Sequence, residues 1–360
     1  MATTSVASGD AVTVKIWLED LYRDTNKELF FAPWTGKETN NIVQEIRKLD
    51  KGPGDQVTIT IIPRLTGSFT TGSSGLSMEG REQSITPYTY ARILEEYKLA
   101  ARWKEGLDLQ RPIYDMPDEC RALLLQNLAE NIDALHFDAL VSGLTRILGG
   151  NGTMYTASAT AATALAAGNK ITPEIVRRLK TIAQTGGAVA AASDAAPARV
   201  FIPPRPVRYK GNNHYILLVH PNVRYDLGEN SEYVQELKDA RERSPDNPLF
   251  SGNAFAMIDG VVVVAHENMP LRSDGGAGGN VVYSKCVLMG AQALIKLYGS
   301  YRSKGKLTGD ATAVVGKSFG YDEEEGICTK TIMRVGAPSF NSERYGSVGL
   351  WVSTTNIAAV

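Results

Sequence analysis

A chain of 360 residues is too long for one small core and fits one large or two modest domains. Hydrophobic residues at 43% and charged residues at 21% are ordinary globular proportions. A formal net charge of -1 supplies no bulk attraction to nucleic acid or to an anionic membrane. Cys120, Cys286 and Cys328 are far apart, odd in number and without metal-ligand spacing, which argues against a disulfide framework and for a reducing compartment. No apolar run reaches the roughly 18 residues of a membrane span. The opening MATTSVASGD lacks the basic-then-apolar order of a secretory signal.

In chain order, residues 1–10 are small and polar and read as disordered. From Val12 to Ala32 the spacing of Ile16, Leu18, Leu21, Tyr22, Leu29 and Phe30 predicts a helix, broken at Pro33 and Gly36. Ile42, Val43, Ile46 and Leu49 predict a second short helix over 41–49. This beginning has little to build a core from and reads as an arm lying on something else. After the Pro53-Gly54 turn, Val57, Ile59 and Ile61 alternate with Thr58, Thr60 and Ile62, a strand that Pro63 confines to an edge or a bend. Residues 66–80, rich in Gly, Ser and Thr, read as a flexible loop. The return limb, 89–104, alternates like a strand yet is rich in helix formers, and local propensity leans to helix. As a strand it would complete a two-stranded hairpin that needs something to lie on, a neighbouring subunit for example.

The longest element is the helix predicted over 118–142. Leu124, Leu128, Ile132, Leu135 and Ala139 recur at steps of four and three on one face, while Glu130, Asp133 and Asp138 fall off it. Asp118 is the candidate N-cap and Gly143 the stop. Such a helix, several times longer than one turn of packing needs, suits a strut under a sheet. The Ala/Thr/Gly stretch after it reads as a surface loop, and its Asn151-Gly-Thr acceptor signal is set aside because nothing suggests secretion. Thr172-Pro173-Glu174 opens a helix that stops at Gly186-Gly187. HYILLVHP reads as a strand, 223–243 as a polar helix, Asp259-Gly260 as a tight turn and Val261–Ala265 as a buried strand. RSDGGAGGN reads as a flexible insertion, VYSKCVLMGAQALIKLYG as either kind of element, and the segments after Tyr321 as sheet.

Catalytic signals are weak. His266-Glu267 lacks the second histidine of a zinc helix, and His136, His214 and His220 are isolated. Cys120 near a helix start has no assignable base. The Gly-rich runs at 149–152 and 275–279 lack the Lys-Ser/Thr of a phosphate loop. The acidic run Asp322 to Glu325 lacks calcium-loop spacing and reads as a solvated turn. Arg177, Arg178 and Lys180, and Arg241 with Arg243, lie on helices without interleaved aromatics, so they read as solvated faces. No catalytic residue, cofactor or metal is assigned.

The order of GDQVTITIIPRLTG, MEGREQSI, QRPIYDM, DALVSGL, HYILLVHPNVRYDL, NPLFSGNAFAMIDGVVV, VLMGAQALIKLYG and FGYDEEEGI resembles the major capsid proteins of tailed bacteriophages, in particular the N-four-type podovirus coat proteins. The resemblance covers about residues 15 to 355. It implies an α+β chain of the Hong Kong 97-type capsid fold, with an N-terminal arm (1–50), an extended β-hairpin loop (51–105) and a peripheral domain (106–170) with the spine helix at 118–142. An axial domain (171–270) and a return to the peripheral sheet (271–360) would complete it. It settles the 89–104 limb as strand, against propensity, and lays the hairpin over the adjacent subunit. The implied function is an icosahedral shell subunit, associating with itself as pentamers and hexamers in the virion. The shell would enclose double-stranded DNA without sequence-specific contact and would need no membrane. A separate scaffolding protein, a portal and a decoration protein are the further partners, and synthesis is in the bacterial host cytoplasm.

Some capsids of this fold join neighbours through a lysine on the extended loop, but no lysine stands between Lys51 and Lys98 here, so cohesion is expected to be non-covalent. Candidate inter-subunit contacts are Phe69 and Leu76 at the loop tip, Arg64 and Arg81 at its shoulders, and Trp17 and Trp34 in the arm. Ordinary local packing is the competing reading for each. The rival functions are a virion decoration or receptor-binding protein, and a cysteine or metal hydrolase using Cys120 or His266.

Overall fold

The computed structural model describes residues 29–47, 55–62, 84–106, 115–187, 201–209, 212–235, 256–303, 306–307, 312–321 and 323–355, with Leu65, Glu79 and Glu82 singly. A short 3₁₀ turn at Ala32–Trp34 leads to β1 (Thr35–Gly36) and β2 (Val43–Ile46). Then come β3 (Gln56–Ile61), β4 (Tyr88–Ile93), β5 (Glu95–Lys104) and the long helix α1 (Met116–Val141). β6 (Ile147–Gly149), β7 (Met154–Tyr155), α2 (Ser158–Thr163) and α3 (Pro173–Thr185) precede β8 (Val207–Tyr209), β9 (Asn212–Val219) and α4 (Pro221–Gly228). Next are β10 (Ala256–Ile258), β11 (Val261–Ala265), β12 (Leu271–Gly275), β13 (Val281–Met289) and β14 (Leu294–Tyr298). The last strands are β15 (Arg302–Ser303), β16 (Lys306–Leu307), β17 (Thr312–Phe319), β18 (Glu324–Gly336), β19 (Ser339–Phe340), β20 (Glu343–Arg344) and β21 (Ser347–Ser353).

Two compact units share these elements. The larger takes its residues from Phe31–Glu96, Ile132–Ala311 and Ile332–Val360, the smaller from Tyr97–Asn131 and Thr312–Thr331. The chain passes between them inside β5, α1 and β18.

The larger unit is built on a nine-stranded sheet, ordered β10-β11-β9-β13-β21-β6-β7 with β8 on β9 and β12 on β13. β9 and β11 run parallel, as do β21 and β6. Strands so enclosed read as continuous apolar runs, and Leu217, Leu218, Val219, Val287, Leu288 and Leu350 are all fully buried. α3 lays Val176, Leu179 and Ala183 on this core. The Thr172 hydroxyl accepts from the Ile175 amide at 3.3 Å and Pro173 takes the first helical position, as the sequence predicts. The Asp259-Gly260 turn between β10 and β11 has φ positive at both residues, the twist a two-residue hairpin needs. Just past β21, the buried Asp226 carboxylate of α4 accepts from Lys170 Nζ (2.8 Å), Thr354 Oγ1 (2.7 Å), Thr355 N (2.9 Å) and Thr355 Oγ1 (2.7 Å). Burial pushes its pKa up, but these four donors outweigh it and hold the group below the usual carboxylate range.

Several sequence expectations are corrected here. The 41–49 segment holds a strand, not a helix: β2 pairs in parallel with β14, Val43 opposite Leu294, and Ile42 and Val43 are buried. The 148–170 stretch, read as a surface loop, holds strand and helix and is partly buried. Ile147, Leu148, Ala161, Ala162 and Leu165 are buried in β6, α2 and the turn after it. RSDGGAGGN is partly strand, because β12 pairs with β13 and the Arg272–Asp274 ion pair spans it. The 223–243 helix starts earlier, at Pro221, is interrupted at Glu229 and resumes over 231–235. Within 271–360, β13 and β21 lie at the centre of the nine-stranded sheet, whereas β14 and β18 pair elsewhere. The helix predicted over 12–32 falls largely outside the described residues.

α1 carries 26 residues, roughly 39 Å at 1.5 Å each. Its cap is Asp115, whose Oδ1 accepts from the Asp118 amide at 3.4 Å, so Asp118 itself is not the N-cap. Pro117 is tolerated in the first turn because its missing N–H would have no helical partner. In the smaller unit Leu124 and Leu128 are buried, with Leu124 packed beside Trp103 of β5 and Ile327 of β18. In the larger unit the buried positions are Asp133, His136, Phe137 and Leu140. Asp133 therefore lies on the covered face, contrary to the stripe read from the sequence, because the covered face drifts around the helix. Gly143 at φ 66 ends it. The buried Arg344 guanidinium then donates to the last carbonyls, those of Ala139 (2.8 Å), Leu140 (3.4 Å), Ser142 and Gly143 (3.4 Å). Burial first, and Arg92 nearby, draw its pKa down to about 10, with Tyr90 opposing, so it is charged at neutral pH and complements the helix dipole.

Candidate assembly surfaces

The 89–104 limb is strand, as the family resemblance implies and against its propensity. β3 and β4 form a two-stranded antiparallel hairpin, Ile61 opposite Tyr88 and Gln56 opposite Ile93. Its base does not wait for a neighbour. Val57, Ile59, Ile61 and Tyr88 pack on Tyr90, Ile295, Leu297 and Phe340 of the same chain. Among the described residues, Ile62 (65% exposed), Leu65 and Ile85 (59%) are uncovered beyond the paired strands, and Ile93 (59%) is uncovered at the base. Both outer backbone edges of the hairpin are unpaired by strands among the described residues. Unpaired edges and clustered exposed apolar groups are costly in a lone chain and useful in an assembling one.

Of the six predicted contact residues, Trp34 alone is described. It is half-buried and meets Phe31 edge-on at 5.9 Å. Trp17, Arg64, Phe69, Leu76 and Arg81 lie outside the described residues.

The smaller unit has its own open edge, which the sequence reading missed. β17 pairs with β18 along its whole length, from Thr312 opposite Thr331 to Phe319 opposite Glu324. No described strand takes its other side. Val314 and Val315, on opposite faces, are both about half-exposed, and Tyr321 at the turn is fully exposed. On the helix, Leu123 and Leu125 flank the buried Leu124 and are half-exposed. The signal available in the sequence was the pair Val314-Val315 beside Gly316 and Lys317, where one face of a covered strand would not be polar.

The groups named for chemistry are placed as follows. His266 opens a turn, not a helix, and its Nδ1 accepts from the Asn268 amide at 3.1 Å. His220 caps α4 in the same way, accepting from Asn222 N at 3.1 Å, and burial lowers its pKa. Burial and the Glu119 charge push the Cys120 thiol up, away from thiolate, and burial pushes Cys286 to about 12. All three cysteines are free. Among the described residues, no group of three or more His, Cys, Asp or Glu is placed to hold a metal, and no helix is long and apolar enough to cross a membrane.

A family model described as phage capsid protein matches residues 5–343. No curated protein matches the sequence. Among solved structures, the chain is similar to the capsid of Ralstonia phage GP4, with 21% identity and a TM-score of 0.75 over 99% of each chain. It is similar also to the capsid asymmetric unit of cyanophage Pam1, with 18% identity and a TM-score of 0.79 over 99% of this chain and 100% of that one. The acidic stable capsid of Helicobacter pylori bacteriophage KHP30 is a third, at 14% identity and a TM-score of 0.74, covering 96% and 97%. The fold is thus the Hong Kong 97-type capsid fold. With sequence match and fold in agreement, the chain belongs to the phage capsid protein family, and it is a structural protein of the virion, a subunit of a phage head shell.

Proposed function

We propose that the chain is arranged in its shell as pentamers and hexamers with icosahedral symmetry, enclosing double-stranded DNA without gripping it. The observation that carries this reading is the β3–β4 hairpin, packed by one face on its own chain, with both edges unpaired among the described residues and Ile62, Leu65 and Ile85 exposed just beyond it. A second copy of the chain supplies the missing partner, and the area buried by arm, hairpin and open strand edge exceeds the roughly 1,600 Å² of a standard interface. Phe69, Leu76, Arg64, Arg81, Trp17 and Trp34 remain the proposed contacts, joined now by Ile62, Ile85 and the edge of β17. The nine-stranded sheet, including β13 and β21, is the proposed axial domain, and the smaller unit belongs to the peripheral domain. A net charge of -1 suits a container that does not bind its contents tightly. Scaffolding, portal and decoration proteins are separate partners in this reading, and synthesis is in the bacterial host cytoplasm.

Negative-stain electron microscopy of the purified chain, beside size-exclusion chromatography, tests it. Shells, tubes or rings of five or six are expected. A chain that stays monomeric even when crowded or supplied with scaffold would sink the proposal, and stable trimers with nothing larger would favour a fibre or decoration role. On a reducing denaturing gel the particles should run as single chains, because no lysine stands between Lys51 and Lys98 to make a covalent link from the loop.

A further inference from the structure

Three segments of the larger unit meet in a stack of rings. Phe31, the first buried side chain of the described sequence, lies face-on to the His136 imidazole, centroids 5.1 Å apart and planes at 19°. It meets Phe137 edge-on at 5.0 Å. Phe137 stacks in turn on His266, in the turn after β11, at 4.7 Å. The rings join the segment entering β1, the second half of α1 and the end of β11.

His136 is fully buried, and its environment suits only the neutral ring. Nδ1 lies 2.6 Å from the Ile132 carbonyl oxygen and therefore carries the proton. Nε2 is left as a buried lone pair with no hydrogen-bond partner among the described residues. Burial first, then the Lys296 charge, hold its pKa down to about 4, against the pull of the Ile132 bond. The charged and titratable groups around it are Lys296 on β14 and Glu45, directly across the strand pair on β2 and bonded to Arg47. On its own helix Asp133 lies one turn earlier, and beyond Phe137 come His266 and Glu267. A protonated imidazole over the Phe31 face gains some cation–π attraction. Against that stand a buried, unpartnered N–H, a buried charge and the nearby Lys296 ammonium, which together outweigh it.

We propose that His136 is an acid-operated latch: on taking a proton it leaves its stack on Phe31 and frees the segment that enters β1 from α1. The direction follows from linkage. A released ring titrates near 6.5 and the latched ring near 4, so the latch is fully closed above about pH 6.5 and weakens as pH falls towards 4. The ratio of released to latched chain then rises about 20-fold between pH 7 and pH 5, and about 300-fold by the time pH is well below 4.

Amide hydrogen exchange of residues 30–35 in the unassembled full-length chain, corrected for the intrinsic pH dependence of exchange, reads the release. The wild type should open about 20-fold more at pH 5 than at pH 7. His136→Phe, which keeps a ring but cannot titrate, should be flat, and Lys296→Met, which brings the latched ring's pKa closer to that of the released ring, should make the rise smaller. A flat wild-type profile, or a His136→Phe profile that follows the wild type, overturns the latch. If His136→Phe fails to fold, exchange of the His136 C2 hydrogen in the wild type decides: titration near 4 supports the latch and titration near 6.5 overturns it.

Discussion

The nine-stranded sheet and the β3–β4 hairpin use the same apolar residue types to opposite ends. In β9, β13 and β21 the Val and Leu side chains are covered on both faces, and each strand has a partner on either side. In the hairpin one face is covered along the paired strands and the other is open, and the ladder has two strands. Since burial stabilises by about 25 cal/mol per Å², folding free energy is concentrated in the sheet. The hairpin leaves apolar residues exposed, and in the proposed reading these meet another chain.

Three variants would break or sharpen this contrast. The largest effect is expected from Leu217→Ala, in the middle of β9, which should lower stability by about 2–5 kcal/mol in urea denaturation, because the dense surroundings cannot collapse into the cavity. Next is Asp226→Asn, which removes the charge that holds Lys170 and the 354–355 segment, at a cost of about 1–3 kcal/mol. The wild type should show the same loss with acid. The Asp226 pKa is depressed when folded, so its contribution is present above the ordinary 3.8 and disappears as pH falls below it. A midpoint shift absent from Asp226→Asn would locate the effect. The smallest effect on folding belongs to the double variant Ile62→Asp and Ile85→Asp, whose denaturation should match the wild type within about 0.5 kcal/mol. Its particles should nevertheless be missing in electron micrographs. An unfolded double variant would show that the hairpin end belongs to the core after all.

What the sequence made legible follows the range of the forces involved. The start of α3, the Asp259-Gly260 turn and the alternation of β3 depend on neighbours a few residues away, and all appear where the sequence puts them. β2 does not, because Ile42, Val43 and Ile46 suit either period and the deciding partner, β14, is some 250 residues distant. The 150–165 stretch misleads for a different reason: small residues signal loops, yet here they let α2 approach closely enough to bury Ala161 and Ala162. Arg344 was invisible as a helix cap, since nothing near it in sequence is helical. Of the assembly surface, the hairpin was legible through its alternation and the family pattern. The open edge of β17 was not, because an edge is defined by which strand is missing.

The position of β21 also bears on how the chain is made. It is the last of the described strands to join the nine-stranded sheet, yet it lies in the interior between β13 and β6, with Asp226 fastening the residues that follow it. Until synthesis has passed about residue 355, β13 and β6 each present an empty edge and the core remains open. Closure is therefore a long-range step that comes late on the ribosome. Without β21 the sheet would be split between β13 and β6, and the buried side chains of β9, β13 and β6 would lose one covering neighbour.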